Sequence, residues 1–344
     1  MLYLTFIYTV QVFLVLRFSV TVFNFLSNPK LGKYGKHFTD KVSVIINSTE
    51  EGLPELLESV RVQDYQHIEV LIREYPDSKY KTFLAAFCAQ DNRFKVIKEN
   101  INAEDASGNY LLFLRPRTLI RMGCINSLIY RTKVFNLGVL SIMPTQSVSG
   151  LMNELLLPLH SFVLLNLVPL RLVRLFSSPV FSAGSNQCMF FDAAVYRQYR
   201  WYERPDNILP DALEIVKAVK QENFKAETLL GNQLVFSAAP QNKKGMFLQT
   251  GKHLLKGFGN NIFAGLLYLV LVIAGPVVMF AKEEYSLLVL PLGLIFLSRI
   301  MISFLAKQNP LFNLLLHPLH MLMLSGSLLL AILRKIFTAA RQKS

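Results

Sequence analysis

Hydrophobic residues follow two different rhythms along this chain. From Leu2 to Leu26 almost every position is apolar, interrupted by Thr, Gln, Ser, Asn and the single charge of Arg17. A helix of about 20 such residues crosses a bilayer. No small-residue cleavage site follows, so the run predicts an uncleaved anchor rather than a signal peptide. Three comparable runs lie near the other end, at Ile262–Phe280, Ser286–Ala306 and Leu311–Leu333. Between these blocks the apolar residues come in short bursts. Lys41–Asn47 (K-V-S-V-I-I-N) reads as a strand. Leu53–Val60 reads as an amphipathic helix with Leu53, Leu56, Leu57 and Val60 on one face. Ile68–Ile72 reads as a second strand. A β-α-β unit of about thirty residues requires a parallel strand pair.

The same alternation continues. A helix is predicted at Phe83–Ala89, a strand at Phe94–Ile97, a strand at Tyr110–Leu114, a helix at Gly123–Tyr130 and a strand at Val139–Met143. A strand at Cys188–Phe191, a helix over Ile208–Lys220 and closing strands within Phe224–Phe236 follow. Asn100–Asn109 is too short for a helix with both of its connections. Leu151–Phe176 is apolar but broken by Pro158, Pro169, Arg171 and Arg174, and reads as a segment lying along a membrane surface with its arginines at the headgroups. The expected organisation is an anchor at 1–27, an α/β domain at 38–240 carrying the interfacial segment 151–176, a basic connector at 241–261, and membrane helices with a basic tail at 262–344.

Composition sharpens this picture. Apolar residues make up 52% of the chain and the mean hydropathy is +0.36, high for a water-soluble protein. Lys and Arg number 36 against 23 Asp and Glu, a net charge of +13. In a membrane protein such an excess marks the cytoplasmic surfaces. The Lys- and Gly-rich stretch after Leu26 therefore places the α/β domain in the cytoplasm, at a bacterial inner membrane. A span count of one plus three then leaves the basic tail outside, unless the run around His317-Pro318-Leu319-His320 re-enters. His317 and His320, at i and i+3, read as helix-interface residues ahead of metal ligands. No aromatic-basic motif points to nucleic acid. Cys88, Cys124 and Cys188 are dispersed and suggest neither zinc nor disulfides.

The most informative stretch is Tyr110–Thr118, Y-L-L-F-L-R-P-R-T. A buried strand ends there in two arginines, and ligands of α/β sheets sit at the carboxyl ends of strands. Together with K-V-S-V-I-I-N…E-E…L-P-E-L-L-E-S-V…Q-D-Y…I-E-V-L-I, it resembles the opening and metal-motif strand of the family-2 glycosyltransferases. P-T-Q-S…N-E-L-L-L-P…V-P-L-R resembles their lipid-directed branch, the ceramide and carotenoid glucosyltransferase-like enzymes. The resemblance implies a GT-A-like, Rossmann-like mixed sheet in an α/β domain, with transmembrane helices. It implies donor contacts at Asn47, Glu50, Glu74, Asp77, Asn102, Arg115 and Arg117, and acceptor contacts at Gly184, Asn186 and Gln187. It also places the general base at Asp211, which is equally a good helix cap.

Where that family reads D-A-D and holds a divalent metal, this chain reads Arg115-Pro116-Arg117. Guanidinium groups cannot ligate a metal, but they bind phosphate bidentately. No metal cofactor is expected. Two functions follow from the resemblance. One is metal-independent transfer of a sugar from a nucleotide-sugar donor to a lipid. The other is a non-catalytic homologue acting as a membrane scaffold or as partner of another membrane protein.

Overall fold

The structure, a computed structural model, describes residues 2–47, 51–75, 78–98, 101–147, 150–203, 211–238, 245–281 and 285–341. The chain divides into two compact units. One, built from 29–147 and 170–238, is α/β; the other, built from 1–28, 148–169 and 239–344, is helical.

The α/β unit holds all the strands: β1 (Val42–Ile46), β2 (Ile68–Arg73), β3 (Phe94–Ile97), β4 (Tyr110–Leu114), β5 (Thr118–Ile120), β6 (Leu137–Met143), β7 (Thr145–Gln146), β8 (Cys188–Asp192), β9 (Lys225–Leu230) and β10 (Val235–Ser237). Seven form one sheet in the order β3-β2-β1-β4-β8-β6-β9. β1 is parallel to β2 and β4, β6 is parallel to β9, and β8 runs antiparallel to both β4 and β6. The remaining three make a small sheet, β5-β10-β7. Every residue of β1 and β4 is buried, as expected for strands covered on both faces. Leu53, Leu56, Leu57 and Val60 of the helix Leu53–Arg61 pack into the core with Val42, Val44, Ile46, Val70 and Leu112. The β-α-β opening is therefore as the sequence predicts. The described residues between β3 and β4 form turns and no helix.

The apolar stretch read as one interfacial segment is two pieces, Leu151–Leu167 and Leu170–Leu175. Pro169 disfavours the helical conformation at Val168, which is extended, and the first helix ends there. Leu151–Leu167 belongs to the helical unit and Leu170–Leu175 to the α/β unit. The arginines of the second piece do not stand free as headgroup contacts. Arg171 (3.4 Å) and Arg174 (2.9 Å) both reach Glu227 of β9. Arg131 grips the same carboxylate with Nε and Nη2, each at 2.6 Å. Glu227 is fully buried, and a buried carboxylate needs paired charge. The guanidiniums of Arg131 and Arg174 lie 4.1 Å and 3.8 Å from the ring of Phe135.

In the helical unit, Tyr3–Ser27, Leu288–Ala306 and His317–Thr338 are long and apolar enough to cross a membrane. Met246–Gly257 and Ile262–Val278 could add a fourth span, but they meet at a bend of 105°. The run Ile262–Phe280 contains a π turn at Val270–Ala274. Pro276 explains it, because its missing N–H cannot bond the carbonyl four residues back. The predicted run Leu311–Leu333 is likewise divided, into Pro310–Leu315 and a helix starting at His317. Pro318 fits the first turn of a new helix and disfavours continuation of an old one. His320 Nε2 lies 2.9 Å from the carbonyl oxygen of Glu154, so its ring joins two helices. A polar clasp ties the first helix to Leu151–Leu167: Thr21 Oγ1 donates to Asn166 Oδ1 (2.8 Å), and Asn24 Nδ2 to the carbonyls of Leu165 (2.9 Å) and Val168 (2.8 Å).

Candidate active site

Strand register assembles the site. β1 and β4 place Ile45 beside Phe113, and β4 and β8 place Leu114 beside Cys188. Two steps beyond the first pair and one beyond the second, Asn47, Arg115 and Gln187 stand abreast at the carboxyl edge of β1 and β4. The Arg115 N–H donates to the Gln187 carbonyl at 3.1 Å, and Thr118 Oγ1 donates to the same oxygen at 3.1 Å. Asn47 Oδ1, Asn186 Oδ1 and Gln187 Oε1 are buried and lack a hydrogen-bond partner among the described residues. An unpaired buried amide costs on the order of 1–3 kcal/mol, and these three lie at one edge of the sheet.

The arginine turn has a specific geometry. Thr118 N–H bonds the Arg115 carbonyl at 3.1 Å, Pro116 takes the second position, and Arg117 has φ +68°. This matches a type II β-turn, whose third position normally takes Gly or Asn. Arg117 is held in this left-handed conformation by an ion pair with Glu51. Its backbone also lies against Gly52 (φ +90°), where an added Cβ would sit 2.8 Å from the Arg117 amide nitrogen. Sequence reading quoted Glu51 only as part of a turn. Its pairing with Arg117 leaves Arg115 as the strand-end cation without a carboxylate partner among the described residues.

The other proposed donor residues divide. Arg73 ends β2 abreast of Asn47 and lies over the ring of Tyr75 at 4.5 Å, while Tyr75 Oη donates to the Asn47 carbonyl at 2.7 Å. Glu74 follows directly, its N–H bonded to the Ile97 carbonyl at 2.9 Å. Asn102 lies in a turn where its N–H donates to Asp105 Oδ2 at 2.8 Å, in the loop that leads to the amino edge of β4. Glu50 and Asp77 lie outside the described residues.

Asp211 caps the helix Ala212–Gln221, its Oδ1 accepting from the Leu213 N–H at 3.1 Å. The acceptor-side segment abuts this helix: a Cβ on Gly184 would lie 2.9 Å from Ala212 Cβ. Tyr202 connects the two sides. Its ring stacks on Phe113 at 4.5 Å, and its hydroxyl donates to Met189 Sδ at 2.9 Å. Burial pushes the Tyr202 hydroxyl pKa up, while Arg115 lowers it and Asp211 raises it, so one hydroxyl feels both charges. The strand register and Tyr202 thus bring Asn47, Arg115, Arg117, Gly184, Asn186, Gln187 and Asp211 into one neighbourhood. No local signal in the sequence marks Tyr202.

Mg²⁺ and Mn²⁺ take oxygen ligands, and the turn presents two guanidiniums. Among the described residues no three His, Cys, Asp or Glu side chains gather into a possible metal site.

No protein-family model and no curated protein matches this chain. Solved structures do. One is a mannosyltransferase from Pyrobaculum calidifontis in complex with GDP-Man and Mn²⁺, with a TM-score of 0.53 and 12% identity over 94% of this chain and 99% of that one. The two chains share a fold. It is a glycosyltransferase fold of the GT-A type, a mixed sheet flanked by helices and accompanied by apolar helices. A weaker likeness is to S. aureus TarS in complex with UDP-GlcNAc, with a TM-score of 0.42 and 13% identity over 88% of this chain and 92% of that one.

Proposed function

We propose that this chain is a membrane-bound glycosyltransferase that moves a sugar from a nucleotide diphosphate donor to a lipid hydroxyl without a divalent metal. The observation that carries this reading is the row Asn47–Arg115–Gln187, with its unpaired amide oxygens, at the carboxyl edge of a glycosyltransferase-type sheet. Arg115 would neutralise the departing diphosphate, the task that oxygen-ligated cations perform elsewhere. Asp211 would take the proton of the acceptor hydroxyl as its oxygen attacks the anomeric carbon. The bond from that carbon to the diphosphate oxygen breaks in the same step, and the charge passes to the diphosphate.

The pairing of Arg117 with Glu51 favours a second reading, a nucleotide-binding homologue without turnover, because it removes one of two strand-end cations. One panel tests the binding that both readings share, and turnover separates them. Nucleoside diphosphates and their sugars are titrated into purified protein with Mn²⁺ and with a chelator. The transferase reading expects binding that is equal in both conditions and at least tenfold weaker in Arg115→Ala, the scale of one charge-assisted hydrogen bond. Binding that depends on Mn²⁺, or no binding at all, rejects it. Where transfer to lipid is detected, Asp211→Asn should keep the helix cap and lower turnover by about 10²-fold or more. Unchanged turnover would remove Asp211 from the mechanism.

A further inference from the structure

Two arginines lie inside the helical unit. Arg17, on the helix Leu2–Ser27, is 5% exposed, and Arg299, on Tyr285–Ala306, is 1% exposed. Both face one ring: their guanidinium carbons lie 5.3 Å and 3.6 Å from the centroid of Phe162. Arg17 also lies 5.4 Å from the ring of Tyr268 and 5.7 Å from that of Phe13. Arg299 Nε donates to His317 Nδ1 at 2.8 Å. Arg17 Nε, Arg299 Nη2 and Tyr268 Oη are buried with no hydrogen-bond partner among the described residues. Neither arginine forms an ion pair with a carboxylate among the described residues.

This is an uncommon arrangement. A guanidinium stays protonated, so burial cannot silence it. An aromatic face attracts the cation but accepts nothing from the N–H groups in the guanidinium plane. Charges within apolar helices are costly, and they mark functional positions. Two fixed positive charges with unused donors call for an anion that brings several acceptor oxygens. Phosphate suits this geometry best among the common biological anions. Its carrier follows from the surroundings, because Arg17 and Arg299 both lie on helices long and apolar enough to cross a membrane.

We propose that Arg17 and Arg299, with Tyr268, bind the phosphate monoester of a lipid, whose two negative charges match the two guanidiniums. The proposal rests on the reading of this unit as membrane-embedded, and not on sugar transfer. The full chain is delipidated in a neutral detergent. Thermal unfolding is then followed with dioleoyl phosphatidic acid, with dioleoylglycerol and with inorganic phosphate. Phosphatidic acid should raise the midpoint by about 5 °C at saturating concentration, and the other two should not. The double variant Arg17→Met, Arg299→Met should lose that rise. It should fold, because it removes two buried charges that nothing in the described chain neutralises. Native mass spectrometry of wild-type protein taken directly from membranes should show a bound phospholipid that the double variant lacks. The proposal falls if the rise is equal in the double variant, equal with dioleoylglycerol, matched by inorganic phosphate, or absent with every probe. Release of the chain from membranes by alkaline carbonate would overturn the membrane reading on which it stands. If the double variant fails to fold, the three wild-type titrations decide.

Discussion

Arginines gather around a single side chain in each unit, but around different chemistry. In the α/β unit three of them, Arg131, Arg171 and Arg174, close on the buried carboxylate of Glu227. In the helical unit two of them, Arg17 and Arg299, close on the ring of Phe162, with no carboxylate among the described residues. The first group carries an internal counter-charge, one carboxylate shared by three guanidiniums. The second has cations and unused donors but no anion. A buried charge that the protein has matched is architecture; one that it has not matched points outward, to something that binds.

Removing the counter-charge should turn the first case into the second. Glu227→Gln leaves three arginines around a neutral amide, and breaking a buried pair in this way costs about 3–5 kcal/mol. Chemical denaturation of the variant measures it. A loss below about 1 kcal/mol would mean that these arginines tolerate an unmatched site, and the contrast between the units would dissolve.

A second carboxylate sharpens the comparison, because it is buried without arginine. Burial opposes the charge of Glu69, but hydrogen bonds from Ser43, from Ser107 and from Lys41 outweigh it and hold the carboxyl at about 2. Its folded value lies below the ordinary 4.5. The stability it adds is therefore complete above that pH and is lost as pH falls towards 2. About 3 kcal/mol should disappear over this window. In Glu69→Gln the acid limb of the stability profile should flatten by that amount. An unchanged limb would show that hydroxyl and ammonium donors do not hold a buried carboxylate as arginine does.

The smallest effect is expected at the exposed end of the series. In Arg117→Gly the relief of a left-handed residue is worth about 1 kcal/mol. The added freedom of the unfolded chain costs about 0.5–1 kcal/mol, and the half-exposed pair with Glu51 under about 1 kcal/mol. Stability should move by no more than about 1 kcal/mol in either direction, read from the thermal midpoint. A larger loss would place Glu51–Arg117 with the buried clusters.

What was legible in the sequence was local. The short apolar run of Val42–Ile46, the spacing of Leu53, Leu56, Leu57 and Val60, and the apolar burst of Tyr110–Leu114 each announced their element, because period and burial act within a few residues. Asp211 was legible as a cap for the same reason. The ends of the arginine turn were visible, but the pairing of Arg117 with Glu51 was not, since 66 positions separate them. Glu227 gave no signal at all: an acidic residue in a strand of ordinary polarity says nothing of three arginines that converge from two other elements. The π turn before Pro276 and the break before His317 could have been drawn from the prolines. There the apolar composition masked the backbone constraint.

The helical unit is drawn from three separate stretches of chain, with the α/β unit made in between. Domains form as the chain emerges, N-terminal parts first. The clasp of Thr21 and Asn24 onto Asn166, Leu165 and Val168 can close while the ribosome is still short of the last strands. The cluster on Phe162 cannot, because Tyr268 and Arg299 are among the later residues synthesised. Until those residues are made, Arg17 has the ring of Phe13 and, only once it is synthesised, that of Phe162. The nascent chain passes through a stage in which a single buried cation depends on aromatic faces alone. Any factor that shelters this protein during synthesis would find its critical moment there, between the completion of the sheet and the arrival of the last helices.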